Sequence, residues 1–129
     1  MASIPVIKPT DSELEILRVI WQQGPSSVRQ VNDVLSRKKQ VGYTTTLKLM
    51  QIMNTKGMLD REEKGRMHIY SATFKEKETQ NLLLDRFVDI AFGGSAMQLV
   101  MQALGKQETT PEELEELKKL IKKIEKDRE

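Results

Sequence analysis

The side chains in this chain best suited to chemistry are hydroxyls and cations. The stretch GYTTTLKLM sets Thr44, Thr45 and Thr46 ahead of Lys48, and DREEKGRMHIY places Arg61, Lys64, Arg66 and His68 around a glycine. Threonine hydroxyls are short donors and acceptors that reach phosphate oxygens, and their methyls can touch the methyl of thymine. Lysine and arginine pair with phosphates or with guanine edges. Threonine is otherwise a poor choice for opening a helix, because its branched β-carbon stiffens χ1 and its hydroxyl competes for backbone hydrogen bonds. Taken alone, the threonines also fit a solvated helix cap. Followed by Lys48, they suit a surface that meets a polyanion.

Other chemistries are poorly supplied. The 129 residues hold no cysteine and one histidine, His68, which leaves no disulfide, no thiolate metal site and no thiol nucleophile. No carboxylate pair falls in a pocket pattern and no glycine-rich phosphate loop is present. Neither catalytic residues nor a metal site nor a cofactor are expected, and the chain reads as a non-enzyme. No apolar run approaches the ~20 residues that span a bilayer, and MASIPVIKPTD lacks the pattern of a secretory signal. A soluble cytoplasmic protein is the expectation. The net charge of +2 hides an asymmetry: residues 1–75 carry 12 Lys+Arg against 7 Asp+Glu, and residues 76–129 carry 9 against 12. A basic front suits nucleic acid, although ordinary surface charge can also partition this way.

The elements that must position these residues are mostly helical. PTDSELEILRVIWQQGP reads as a first helix with a Thr10/Glu13 capping box, ended by Gly24-Pro25, with Leu14, Leu17, Ile20 and Trp21 facing a core. SSVRQVNDVLSRKK reads as a second, with a Ser27/Gln30 box, a stripe of Val28, Val31 and Leu35, and basic residues 37–39 at its end. TTTLKLMQIMNTKG reads as a third. Thr44 is its expected N-cap and Gly57 its C′ residue, Leu47, Met50 and Met53 form its apolar stripe, and Thr45, Thr46 and Lys48 point outward. MLDREEKGRMHIYSA reads as a hairpin turning at Lys64-Gly65, with Leu59 inward and Met58 and Met67 expected in the core.

The back of the chain is helical again. KEKETQNLLLDRFVDIAF carries Leu83, Leu84, Phe87, Val88 and Ala91 on a broad apolar face, and Gly93-Gly94 ends it. SAMQLVMQAL is nearly apolar throughout. TTPEELEELKKLIKKIEKDRE opens with a Thr110/Glu113 box and Pro111, and its Leu114, Leu117, Ile121 and Ile124 form a short coiled-coil-like seam.

Three helices followed by a hairpin is the order of a winged helix, in which the third helix enters the DNA major groove and the hairpin lies along the backbone. The expected DNA contacts are Thr44, Thr45, Thr46, Lys48, Lys64 and Arg66, with Arg29 from the second helix. Glu62 and Glu63 weaken the positive field of the wing. The last three helices are too few to close a core, and an amphipathic helix without a partner in its own chain can bury its stripe in a dimer. The expected dimer residues are Leu83, Phe87, Val88, Leu99, Leu114, Leu117, Ile121 and Ile124. Folding of these helices back onto the front is the alternative. The expected fold is mainly α with a small β-hairpin: a winged helix-turn-helix DNA-binding domain over 1–75 and a helical dimerisation region over 76–129.

From Pro9 to Ile124 the sequence resembles the penicillinase-repressor family of bacterial regulators. The segments that carry the likeness are TDSELEILRVIWQQGPSSVRQV, GYTTTLKLMQIMNTKGMLDREEKGRMHIYSA and FGGSAMQLVMQAL. The resemblance implies a homodimeric repressor of transcription on palindromic, double-stranded operators, with Thr45, Thr46 and Lys48 facing the operator, Arg66 on the wing, and Phe87, Leu99 and Leu117 in the dimer part. For the antibiotic-responsive members it also implies relief by a membrane-linked metalloprotease that cuts an Asn-Phe bond in that part. The matching bond here is Gln102-Ala103, beside Met101, so cleavage is expected at most near it. The absence of cysteine excludes copper sensing through thiolates. Lys48 stands where many relatives have threonine. The alternative function is a winged-helix module that binds protein in a larger assembly.

Overall fold

In the computed structural model, which describes residues 8–106 and 108–129, six helices and one two-stranded antiparallel sheet follow each other along the chain. The described residues divide into two compact units, one up to Leu84 and one over Asp85–Glu129.

The first unit opens with α1 (Asp11–Gln23), α2 (Val28–Leu35) and α3 (Tyr43–Thr55). The capping boxes of α1 and α2 form as expected. Glu13 N–H donates to Thr10 Oγ1 at 3.2 Å while Thr10 N–H donates to Glu13 Oε1 at 2.9 Å, and Ser27 and Gln30 repeat this reciprocal pair. At its other end α3 closes in a Schellman turn. Gly57, at φ +84°, allows the Met58 N–H to reach Met53 O at 2.9 Å and its own N–H to reach Asn54 O at 3.2 Å.

The hairpin follows as β1 (Leu59–Lys64) and β2 (Met67–Ala72), paired from Leu59 with Ala72 to Lys64 with Met67. The turn residues are therefore Gly65 and Arg66, with Lys64 still in the ladder. Gly65 takes the positive φ of +64° and Arg66 does not, the φ pattern of a tight type II′ hairpin turn. Extended chain before α2 adds a third partner, since Ser26 and Tyr70 exchange both backbone hydrogen bonds, at 2.8 and 2.9 Å.

The core gathers Ile16, Leu17, Val19 and Ile20 of α1, Val28 and Val31 of α2, Met50 and Met53 of α3, then Met58, Leu59 and Tyr70. Leu14, Trp21, Leu35 and Leu47 pack around it, partly buried. The placement of Met67 in the core is corrected: it is 53% exposed, while Tyr70 is 1% exposed. Strand residues alternate between faces, so once Tyr70 and Ala72 face the helices, Met67 must face away. Trp21 Nε1–H donates to Phe74 O at 3.0 Å and ties α1 to the chain leaving the wing.

α4 (Glu76–Phe92) begins in the first unit, where Thr79 is buried, and ends in the second. The second unit continues with α5 (Ala96–Lys106) and α6 (Pro111–Asp127), the latter opened by the Thr110/Glu113 box with Pro111 at its start. Neither α5 nor α6 has a buried residue. No single helix among the described residues is long and apolar enough to cross a membrane.

Candidate nucleic-acid interface

The first turn of α3 is built without a side-chain cap. Gly42, extended at φ −71° and ψ 143°, is the N-cap, and no side chain accepts from the helix start. Thr44 is thereby corrected from cap to exposed first-turn residue, because the chain turns helical at Tyr43, one residue before the threonines. Thr45 and Lys48 are exposed as well.

Thr46 is a second correction. It is 0% exposed, and its hydroxyl donates to Asn32 Oδ1 of α2 at 2.7 Å. A hydroxyl closed inside the contact between α2 and α3 cannot reach a groove. It fixes the angle and register of the two helices instead, since a buried hydroxyl without its partner would be costly.

A groove of about 500 Å³ runs between the start of α2, the start of α3 and the wing. Its polar lining includes Arg29, Gln30, Asp33, Tyr43, Arg66 and His68. The fold thus brings together Arg29 and Arg66, two members of the expected set that lie far apart in sequence. Thr44, Thr45, Lys48 and Lys64 do not line it. Lys64 is exposed at the end of β1, beside the turn. The ion pairs Lys56–Glu13 and Lys118–Glu115 include none of these cations, and Arg29, Lys48, Lys64 and Arg66 are left without a carboxylate partner among the described residues.

Tyr43 was not in the expected set. It is 41% exposed and lies under Arg29, whose Cζ is 4.9 Å from the ring centre. The local signal was an aromatic residue opening a helix directly after an extended glycine, where neither helix propensity nor the core stripe asks for one.

α3 is anchored at its far end. Lys56, its C-cap residue, pairs with buried Glu13 of α1 at 3.0 Å. Burial pushes the Glu13 carboxyl up, but the Thr10 backbone N–H, the Lys56 ammonium and the Thr10 hydroxyl together outweigh burial and hold it below the ordinary value of 4.5. No group of three or more His, Asp or Glu side chains that could hold a metal occurs among the described residues.

The second unit offers a different surface. Phe87 is 55% exposed, Ile121 55%, Leu114 and Ile124 45%, with Leu99 and Leu117 half-buried, while Leu83 of the expected dimer set is half-buried at the end of the first unit. Val88 is buried within the chain at 7% exposure and presents no surface. Ile90, at 78%, and Met97, at 67%, are more exposed than any residue of the expected dimer set. Met101, Gln102 and Ala103 are exposed within α5.

A family model described as Penicillinase repressor matches residues 9–123. The penicillinase repressor of Bacillus licheniformis is 25% identical over 121 residues, covering 94% of this chain and 93% of that protein. The solution structure of the DNA binding domain of the repressor BlaI superposes with a TM-score of 0.50 at 28% identity, over 60% of this chain and 93% of that domain. A MarR family protein from Bacillus stearothermophilus shares the winged-helix fold, with a TM-score of 0.52 at 15% identity over 95% of this chain and 76% of its own.

Proposed function

The chain belongs to the penicillinase repressor family, and on that premise we propose that it is a dimeric, sequence-specific DNA-binding repressor of transcription acting on palindromic operators in the cytoplasm. The observation that carries this reading is the convergence of Arg29 and Arg66 on one groove beside an α3 whose exposed side carries Thr44, Thr45 and Lys48. Cations without carboxylate partners keep their full charge for phosphate. Exposed hydroxyls and Lys48 on the leading turns of α3 are the groups that can read base edges.

The second unit supports the dimer. Most of its apolar side chains are exposed, and a second copy supplies the same stripe by symmetry. Two copies then present two α3 helices to half-sites about one helical turn or a multiple of it apart.

Relief of repression fits α5. A cut near Gln102-Ala103 would separate α6 from the rest and weaken the dimer, and with it the grip on DNA. A membrane-linked sensor metalloprotease is the proposed agent. The bond lies inside a helix, so the enzyme must first unwind that turn.

A mobility shift on DNA upstream of the protein's own gene, at two salt concentrations and with a scrambled duplex as competitor, tests the reading. Binding that is specific, salt-sensitive and confined to a palindrome is expected. A folded, dimeric protein with no preference over the scrambled duplex would overturn it.

A further inference from the structure

We propose that Tyr43 is the positioning residue for a backbone-phosphate contact made by Arg29, the two side chains acting as one unit across the helix-turn-helix; this rests on the operator-binding reading above. Arg29 leaves the first turn of α2 and Tyr43 opens α3, and the 4.9 Å from guanidinium carbon to ring centre is a cation–π stack. Three residues further along each helix, Asn32 and Thr46 make their 2.7 Å hydrogen bond. The two contacts are rungs one turn apart. The buried rung fixes the register of the helices, and the exposed rung uses that register to aim a cation.

The choice of a ring as the support matters chemically. Asp33 lies four residues after Arg29 and lines the same groove, yet the two form no ion pair. A carboxylate would occupy two N–H donors of the guanidinium and cancel its charge. A tyrosine face leaves all the donors and the charge available while restricting the rotamers of a long side chain that would otherwise lose them on binding. Arg66, on the wing turn, supplies a second cation to the groove. The ligand is a phosphate and not a base, because the groove is lined by Tyr43 and Leu47 of α3 and not by Thr44, Thr45 or Lys48, which occupy other positions around that helix.

The test is a double-mutant cycle on the full chain, with affinity for the duplex from upstream of its own gene and for a scrambled duplex measured across a salt series. R29A should weaken both duplexes by a similar factor and lower the magnitude of the salt slope by about 0.9, the loss of one phosphate contact. Y43A should weaken both by about two- to fivefold, and Y43F, which keeps the ring, should restore the wild-type value. In the R29A background, Y43A should then change nothing further. Additive losses, or Y43F failing with Y43A, would overturn the positioning role. A loss in R29A confined to one base pair of the upstream duplex would overturn the phosphate assignment. Wild-type protein showing no salt-sensitive binding to either duplex would instead overturn the operator reading itself. A merely structural tyrosine would give the same Y43A loss with and without Arg29, so the cycle separates the two roles.

Discussion

The two units of this chain use apolar residues in opposite ways. Up to Leu84, apolar side chains from three helices and the hairpin close on each other, and Ile16, Val31, Met50 and Met53 reach 0% exposure. Over Asp85–Glu129 a comparable supply of leucine, isoleucine, methionine and phenylalanine leaves only Val88 buried among the described residues, while Phe87, Ile90, Met97 and Met101 stand more than half exposed. The first unit has three helix directions and a sheet edge with which to surround a centre. The second has helices alone, and most of its apolar side chains stay exposed. Burial of apolar surface stabilises by roughly 25 cal/mol per Å² wherever it occurs. The first unit gains that within itself, and we propose that the second gains it by association.

The largest test of the contrast is a truncation in the front core. Ile16→Ala should cost about 2–5 kcal/mol of unfolding free energy, read from Trp21 fluorescence in urea. A loss below about 1 kcal/mol would mean that the front core is not closed around Ile16. Next in size, Ile121→Asp should weaken dimerisation by roughly 2 kcal/mol or more, about thirtyfold in dissociation constant, by sedimentation. Its front unit should remain folded. A variant that stays dimeric would remove Ile121 from the interface.

Two neighbouring threonines sharpen the comparison within the front unit. Thr46→Val leaves Asn32 Oδ1 without its donor and should cost about 1–3 kcal/mol of stability. Thr45→Val, at an exposed position, should change stability by less than about 0.5 kcal/mol while weakening operator binding. Lys48→Ala should lose roughly 1–3 kcal/mol of operator affinity with relaxed specificity at one position if Lys48 reads a base. If only the salt slope changes, Lys48 holds a phosphate. An unchanged affinity would remove it from the interface.

These residues also show which parts of the structure were legible in the sequence. The capping boxes at Thr10, Ser27 and Thr110 were, because donor and acceptor are three residues apart and the pattern contains both. So was the order of helices and hairpin, since each has its own periodicity and Gly24, Gly57, Gly65 and Gly93 mark several of the ends and turns. Thr46 was misjudged because its partner, Asn32, lies 14 residues away on another helix. A β-branched hydroxyl residue beside two exposed ones carries no local mark of burial. Met67 was misplaced for a related reason. Hydrophobicity favours methionine inward, but the facing of β2 is set by its bridge to Ser26, a contact 44 residues away in sequence. The groove was invisible for the same cause: Arg29, Tyr43 and Arg66 meet only through the packing of three elements.

The smallest effect separates two ion pairs, Lys118–Glu115 of the second unit and Lys56–Glu13 of the first. Lys118–Glu115 spans 3.4 Å on α6 with both side chains about two-thirds exposed, so Glu115→Gln should change stability by no more than about 0.5 kcal/mol. Glu13 differs because it is 2% exposed and is held below its ordinary value of 4.5 despite burial. A carboxyl with a lowered folded-state pKa binds its proton more weakly folded than unfolded. Its contribution is therefore complete above 4.5 and is lost as pH falls from there through the folded value. Urea unfolding followed at Trp21 should show stability declining with acidification in that window, and Glu13→Gln should flatten the decline while Glu115→Gln leaves it in place. Equal pH profiles for Glu13→Gln and wild type would show that the pair between α1 and α3 holds no proton-linked stability. The anchoring of α3 would then rest on Met50 and Met53 in the core and on the Gly57 turn.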